Sequence, residues 1–369
     1  MSLRLLGGAV VVGAVAVALG LDSRPVLGLV AGNGDAPASA SPTAGFAPAP
    51  SWSQAALLGA GQWLNGPPLR AQDLRGKVVL VNFWTFSCIN SLRPLPYLRA
   101  WAERYRDRGL VVVGVHAPEF GFEKDPDNVR LAIERQGVTY PVALDDDLAI
   151  WRKFGNSGWP GFYVIGPDGR IRDRSVGEGD YARTELLIRR LLGEADAAPA
   201  REAPAAPRGE GAQAAPDWTN LRSPETYIGY AKARGFASPG GVTRDVARRY
   251  EPPPALAPNQ WSLSGAWTVG AEFATLGAAP GAIRARFHAR DLHLVLGAAA
   301  DGRPVRFRVS IDGAAPGADH GADVDAEGRG VVEEDRLYQL VRQTGPVRDR
   351  IFEIEFSAPG PRAYAFTFG

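Results

Sequence analysis

The hydrophobic rhythm of the chain changes part-way along. Between residues 77 and 193, unbroken apolar runs alternate with stretches whose apolar positions recur at helical spacing. Lys77-Val78-Val79-Leu80-Val81-Asn82-Phe83-Trp84 is such a run and predicts a central strand buried on both faces. Leu98, Trp101, Ala102 and Tyr105 then share one helix face, and Gly109 closes that helix. Residues 110–115 (LVVVGV) predict the next buried strand. Asp125-Pro126 opens a helix in the favoured cap-then-proline order, with Val129, Ala132 and Ile133 inward and Gly137 as its stop. Residues 142–144, 162–165 and 171–176 read as further strands and 148–154 as a short helix; Pro167-Asp168-Gly169 has hairpin chemistry. Asp180 is expected to cap a last helix that packs Leu187, Ile188 and Leu191 inward. Alternation of this kind predicts an α/β sandwich with helices on both faces of a mixed sheet.

Beyond residue 260 the period falls to two. Ile283, Ala285 and Phe287 recur at every second position, as do Leu292, Leu294 and Leu296, then Val305, Phe307, Val309 and Ile311. Phe352, Ile354 and Phe356 repeat the pattern, and Tyr364, Phe366 and Phe368 end the chain with it. Many short period-two segments separated by Gly, Pro and Asp predict an antiparallel β sandwich. Trp261 and Trp267 are expected in its core rather than stacked on a sugar. Asp323-Val324-Asp325-Ala326-Glu327-Gly328, with Glu334 at the twelfth position, approaches a calcium-loop spacing. Its fifth position is Glu and its surroundings are β, so an acidic loop is the expectation.

Two segments lack the apolar groups to repay ordering. Residues 25–56 are rich in Ala, Pro and Gly and read as a tether. Residues 194–220, Ala/Pro-rich, read as a linker between a domain at 57–193 and a second at 221–369. The leader at 1–24 holds an uncharged apolar stretch, residues 5–21, behind Arg4. It is a signal peptide or an N-terminal membrane anchor; the tidiest cleavage tripeptide, Ala38-Ser39-Ala40, lies well downstream, which favours the anchor. Either reading places the rest of the chain outside the cytoplasm: periplasmic, in the cell envelope, or secreted.

Charge excludes one class of partner. The 369 residues carry 41 basic and 40 acidic side chains, so no basic field exists to hold nucleic acid. Cys88 is the only cysteine, which forbids an intramolecular disulfide. The four histidines are scattered at 116, 288, 293 and 320, so no metal site is expected. No motif points to a nucleotide, haem or flavin, and no cofactor is expected. Cys88 itself follows a buried strand and opens a helix among the polar Ser87, Asn90, Ser91 and Arg93. Free amides and the dipole at a helix start favour a thiolate, which predicts a reactive thiol below its usual value of about 8.5.

Trp84-Thr85-Phe86-Ser87-Cys88-Ile89-Asn90-Ser91, with Pro96 eight residues after the cysteine, resembles the redox motif of thioredoxin-fold proteins. Trp159-Pro160 resembles the family's cis-proline. Val115-His116-Ala117-Pro118-Glu119-Phe120 and Gly177-Glu178-Gly179-Asp180-Tyr181 are similar to the TlpA- and DipZ-like redoxin branch. The stretch from Ser223-Pro224-Glu225-Thr226-Tyr227 to Phe366-Thr367-Phe368-Gly369 resembles the C-terminal domain of DipZ-like proteins, itself similar to carbohydrate-binding jelly rolls. The resemblance implies an α/β thioredoxin fold followed by an all-β, jelly-roll-like sandwich, with thiol- or disulfide-containing proteins or small thiols as partners.

One departure matters. Where the family has CxxC, this chain has Cys88-Ile89-Asn90-Ser91. An alcohol cannot resolve a mixed disulfide, though Ser91 can hydrogen-bond a thiolate. The resemblance gives Glu119 the acid–base position near the cysteine, against a plain loop carboxylate or helix cap. Pro160 would offer a backbone edge to substrate, and Trp84 and Trp159 would wall the cysteine. His116 reads as a satisfied structural histidine, and Asn82 stands where many cytoplasmic thioredoxins carry a buried aspartate. Thr85, three residues before Cys88, also resembles part of the peroxiredoxin motif, whose proline is replaced here by Val81. The expected function is thiol–disulfide oxidoreductase-like chemistry with Cys88 as a single nucleophile. The alternatives are a redox-inactive peptide- or glycan-binding module and a one-cysteine peroxidase. An enzyme of the first kind is expected to hold its thiol ionised.

Overall fold

Every residue of Val78–Trp84 (β2) is buried, so the strand fits only the centre of a sheet covered on both faces. In the computed structural model, which describes Leu57, residues 60–193 and residues 203–369, β2 is the centre of a six-stranded mixed sheet. Leu110–His116 (β3) runs parallel to it and Gly161–Ile165 (β5) antiparallel. Val142–Leu144 (β4) and Trp63–Leu64 (β1) extend one edge, and Ile171–Val176 (β6) the other. Side chains of β2 alternate between two cores. Val78, Leu80 and Trp84 pack with Leu98, Trp101, Val129 and Ile188; Val79, Val81 and Phe83 pack with Ile150 and Phe154. This is the predicted α/β sandwich.

Helix starts follow the sequence with one exception. Asp125 accepts a hydrogen bond from the Asp127 amide at 2.9 Å, as expected of a cap before Pro126. Asp180 precedes the helix Tyr181–Leu191 but takes a left-handed backbone, φ 51°, and its carboxylate makes no cap bond. Capping needs an extended backbone at that residue, and the turn through Gly177 and Gly179 does not deliver one.

Every pairing between the described strands of the second lobe is antiparallel; two isolated bridges, Phe236 with Trp261 and Arg244 with Val269, are parallel. Thr226–Tyr227 (β7), Ala247–Tyr250 (β8), Trp261–Val269 (β9), Ala274–Phe287 (β10), Asp291–Gly297 (β11), Val305–Ile311 (β12), Arg329–Val332 (β13), Arg336–Arg342 (β14), Arg350–Phe356 (β15) and Arg362–Phe368 (β16) form one ten-stranded network. The long β10 joins its halves: residues 274 and 275 pair with β16, residues 281–287 with β15. Trp261 and Trp267 lie in its core, 1% and 0% exposed.

Alternation holds where the sheet faces water and fails where it does not. β12 alternates buried and open positions, whereas β11 is buried at all seven. The second face of that region rests on the first lobe: Val295, Leu337, Tyr364 and Ala365 share a core with Leu92, Phe120 and Phe122. Arg93 crosses the same junction, donating to Glu178 Oε1 at 2.8 Å and to the Phe368 carbonyl at 3.0 Å.

The expected linker is not free where the structure describes it. Glu185 is fully buried and accepts from Trp101 Nε1 (2.9 Å), Tyr105 Oη (2.6 Å), Arg104 (3.0 Å) and the Ala205 amide (2.6 Å). Gln213 bonds Gln136 on the same lobe. A buried carboxylate recruits donors, and the passing backbone supplies one. The leader at 1–24, the tether residues 25–56 and residues 194–202 lie outside the described residues. Among the described residues no helix is long and apolar enough to cross a membrane.

Candidate functional site at Cys88

Strand β2 ends at Trp84, and the loop after it delivers Cys88 to the start of a one-turn helix, Ile89–Leu92. The Cys88 backbone is extended and its carbonyl accepts from the amides of Ser91 and Leu92 at 2.9 and 3.1 Å. Beneath this loop lies Glu123, fully buried. Its Oε1 accepts from the Ser87 hydroxyl (2.6 Å) and amide (3.3 Å), and its Oε2 from the amides of Glu119 (2.6 Å) and Phe120 (2.9 Å). One carboxylate therefore ties the Cys88 loop to the Glu119 loop. Burial pushes Glu123 up to about 7, against the pull of its Ser87, Thr85 and Phe120 donors.

Thr85 and His116 complete this floor. The Thr85 hydroxyl lies 3.4 Å from His116 Nε2, and both residues are fully buried. Burial drops His116 to about 3, so the ring is neutral. The sequence suggests a satisfied structural histidine; the ring is buried as such, but its Nδ1 finds no hydrogen-bond partner among the described residues. The Thr85 hydroxyl is committed to His116 and Glu123. The hydroxyl that serves the thiol belongs to Ser91, fully buried, whose amide and side chain both favour the charged form of Cys88.

The thiol itself departs from expectation. Cys88 is 7% exposed and its proton is held well above the ordinary thiol range. Burial is the main cause, followed by the charges of Glu225 and Glu119, and Ser91 only partly opposes them. A one-turn helix has little dipole to offer, so desolvation wins.

Glu119, whose charge acts on Cys88, takes its side-chain partners from the β lobe. Tyr227 Oη lies 2.5 Å from Glu119 Oε1 and 3.1 Å from Glu225 Oε2. Lys232 Nζ donates to Glu119 Oε1 at 3.1 Å and lies 4.5 Å from the centre of the Tyr227 ring. Pairing of β7 with β16 (Tyr227 opposite Ala365) carries these residues to the first lobe, where Phe120 meets Tyr227 and Tyr364. Glu225, Tyr227, Lys232 and Glu123 are absent from the sequence-derived site. Ser223-Pro224-Glu225-Thr226-Tyr227 was legible as a motif, but no spacing in the chain says that it returns to residue 119.

The aromatic residues divide. Trp84 is fully buried, edge-on to His116 at 5.4 Å, and belongs to the core rather than to a wall around the thiol. Trp159 is half-buried, donates to the Ala117 carbonyl at 2.8 Å and packs on Trp151. The Trp159-Pro160 bond is cis, as the resemblance implies. Phe83 opposite Gly161 sets Pro160 level with the end of β2 from which the Cys88 loop leaves. Its carbonyl already accepts from Gly177 at 2.8 Å. In the β lobe, Trp261 and Trp267 are sealed in the core and offer no ring to a sugar. The acidic loop is engaged by protein: Asp323 holds Arg336, and Glu334 pairs with Arg135 of the first lobe.

A family model described as "Thioredoxin like C-terminal domain" matches residues 223–369, and one described as the AhpC/TSA family matches residues 48–174. Protein DipZ of Mycobacterium bovis and of Mycobacterium tuberculosis is 38% identical over 265 residues, which are 69% of this chain and 37% of DipZ. The thiol-disulfide oxidoreductase YkuV of Bacillus subtilis is 30% identical over 140 residues, 38% of this chain and 94% of YkuV. This chain belongs to the thioredoxin-like redoxin family, in its DipZ-type form with a C-terminal β domain. It is a single-cysteine, CxxS member of a family of thiol–disulfide oxidoreductases. It spans little more than a third of the DipZ proteins it matches. Among solved structures, a thiol-disulfide isomerase from Corynebacterium glutamicum is 25% identical, with 37% of this chain and 93% of that chain covered and a TM-score of 0.34.

Proposed function

We propose that this protein is an exported, single-thiol redoxin in which Cys88 attacks a disulfide and remains joined to one half of it until an outside thiol releases it. The observation that carries this reading is Ser91, which turns its amide and hydroxyl to the Cys88 thiol at the position of the family's second cysteine. An alcohol there supports a thiolate as it forms but cannot displace sulfur from it. Because burial and the charge of Glu119 keep the thiol protonated at neutral pH, attack requires a base, and Glu119 is the carboxylate the family motif supplies. In the exchange a Cys88–sulfur bond forms and the substrate S–S bond breaks. The departing sulfur takes the electron pair and the proton.

Substrates on this reading are disulfide-containing proteins or small-molecule disulfides. The apolar stretch 5–21 behind Arg4 supports export, with the leader kept as an anchor or cut as a signal. A second reading, a peptide-binding module without turnover, is favoured by the low exposure of Cys88. Incubation of the full chain with oxidised glutathione, followed by intact mass and peptide mapping, separates the two. One glutathione on Cys88, removable by reductant and absent from Cys88→Ser, is the expected result. No adduct from mildly acid to strongly alkaline pH would overturn the redox reading in favour of the binding one.

A further inference from the structure

The carboxyl pair that meets at Tyr227 is not explained by covering the thiol. A phenolic hydroxyl has one proton to give, yet Tyr227 Oη lies within hydrogen-bond reach of two carboxyl oxygens, at 2.5 and 3.1 Å. One contact is the tyrosine's own donation. The other is satisfied only if a carboxyl holds a proton and donates it to the phenolic oxygen. Lys232 decides which. It donates to the same Glu119 oxygen that Tyr227 approaches at 2.5 Å, so Glu119 is the ionised partner and the proton belongs to Glu225. Crowding of its site and the neighbouring Glu119 charge raise the proton affinity of Glu225, although the residue keeps solvent exposure.

We propose that the β lobe completes the thiol site, with Glu225, Tyr227 and Lys232 joining Glu119 in a proton-sharing group that accepts the Cys88 proton during attack and returns one to the departing thiol. This rests on Cys88 being the nucleophile. The balance is that of an ordinary exchange: Cys88–SH and R–S–S–R′ give Cys88–S–S–R and R′–SH. The Cys88 proton goes to Glu119, the electron pair of the broken S–S bond goes to the R′ sulfur, and the Glu225 proton, relayed through Tyr227, neutralises it. No outside oxidant is needed. The charged and titratable groups facing this centre are Cys88, Glu119 and buried Glu123 from the first lobe, and Glu225, Tyr227 and Lys232 from the second. Lys232 positions, since it touches Glu119 and the Tyr227 ring rather than the thiol.

Two disulfides test the relay. Oxidised glutathione releases a thiol that must be protonated, whereas dithiobis-nitrobenzoate releases one that leaves as a stable anion and asks for no proton. In Glu225→Gln and Tyr227→Phe the rate of adduct formation with oxidised glutathione is expected to fall at least about tenfold, the scale of a lost general acid, while the dithiobis-nitrobenzoate rate holds or rises. Both variants should fold, since Glu225 reaches solvent and Phe keeps the ring; matched melting curves check this. A parallel change with both disulfides would mean that these residues only cover the thiol, and would overturn the relay while leaving Cys88 as nucleophile. A wild-type chain inert to both reagents would remove both proposals.

Discussion

Arg93 offers a sharp test of how the two lobes are held together. Its side chain and that of Glu178 are 2% and 5% exposed, and the guanidinium also serves the Phe368 carbonyl. Arg93→Met keeps the length of the stem and removes the charge. Stripping one partner from a buried ion pair costs about 3–5 kcal/mol, and the orphaned carbonyl pushes the loss toward the upper end. At roughly 2 °C per kcal/mol for a protein of this size, the melting point should fall by about 8 °C. The loss should depend on pH with a definite sign. Burial already raises the proton affinity of Glu178 against the pull of Arg93, and without Arg93 it rises further. A carboxyl whose folded-state value lies above its unfolded one adds stability below the ordinary range and loses it as pH rises through the folded value. The gap between variant and wild type should therefore be wider at about pH 8 than at about pH 5. Urea unfolding followed by tryptophan fluorescence at both pH values measures it. Arg93→Met combined with Glu178→Gln, which removes both charges, should recover more than half of the loss at the higher pH. A loss under about 1 kcal/mol, or no recovery in the double variant, would refute the account of a buried ion pair that holds Arg93 in place to reach the Phe368 carbonyl of the second lobe.

Two other expectations concern single carboxylates. Glu185→Ala strands the donors of Trp101, Tyr105 and the Ala205 amide, and should cost about 3–5 kcal/mol while speeding proteolysis near residue 205; unchanged proteolysis would mean that the segment is held by other contacts. Iodoacetamide alkylation of Cys88 should keep accelerating above the free-thiol value of about 8.5, because burial and the carboxylates hold its proton, and Glu225→Gln should move the midpoint down. A wild-type midpoint below the free thiol would contradict that environment.

Local rules were enough for most of the architecture. Apolar runs, helical spacing and period-two alternation depend on neighbours within a few residues, and they announce five strands of the six-stranded sheet, its helices and the antiparallel lobe; the two-residue edge strand Trp63–Leu64 is too short to carry such a pattern. The Pro160 cis bond and the Cys88 loop were legible for the same reason, as motifs contiguous in the chain. Asp180 misled because its capping chemistry depends on a backbone angle that the preceding glycine turn withholds.

The sequence by itself determined a thioredoxin-like unit, a β domain, and a lone thiol whose usual partner is a serine. Only the tertiary structure decided what surrounds that thiol. Burial is a property of distant segments meeting, and it outweighs the helix start that argued for a thiolate. Tyr227 reaches Glu119 across 108 positions of sequence, so no local pattern encodes their hydrogen bond. The same meeting of lobes buries both faces of β11 and erases its alternation, because a sheet wears a polar face only where water touches it.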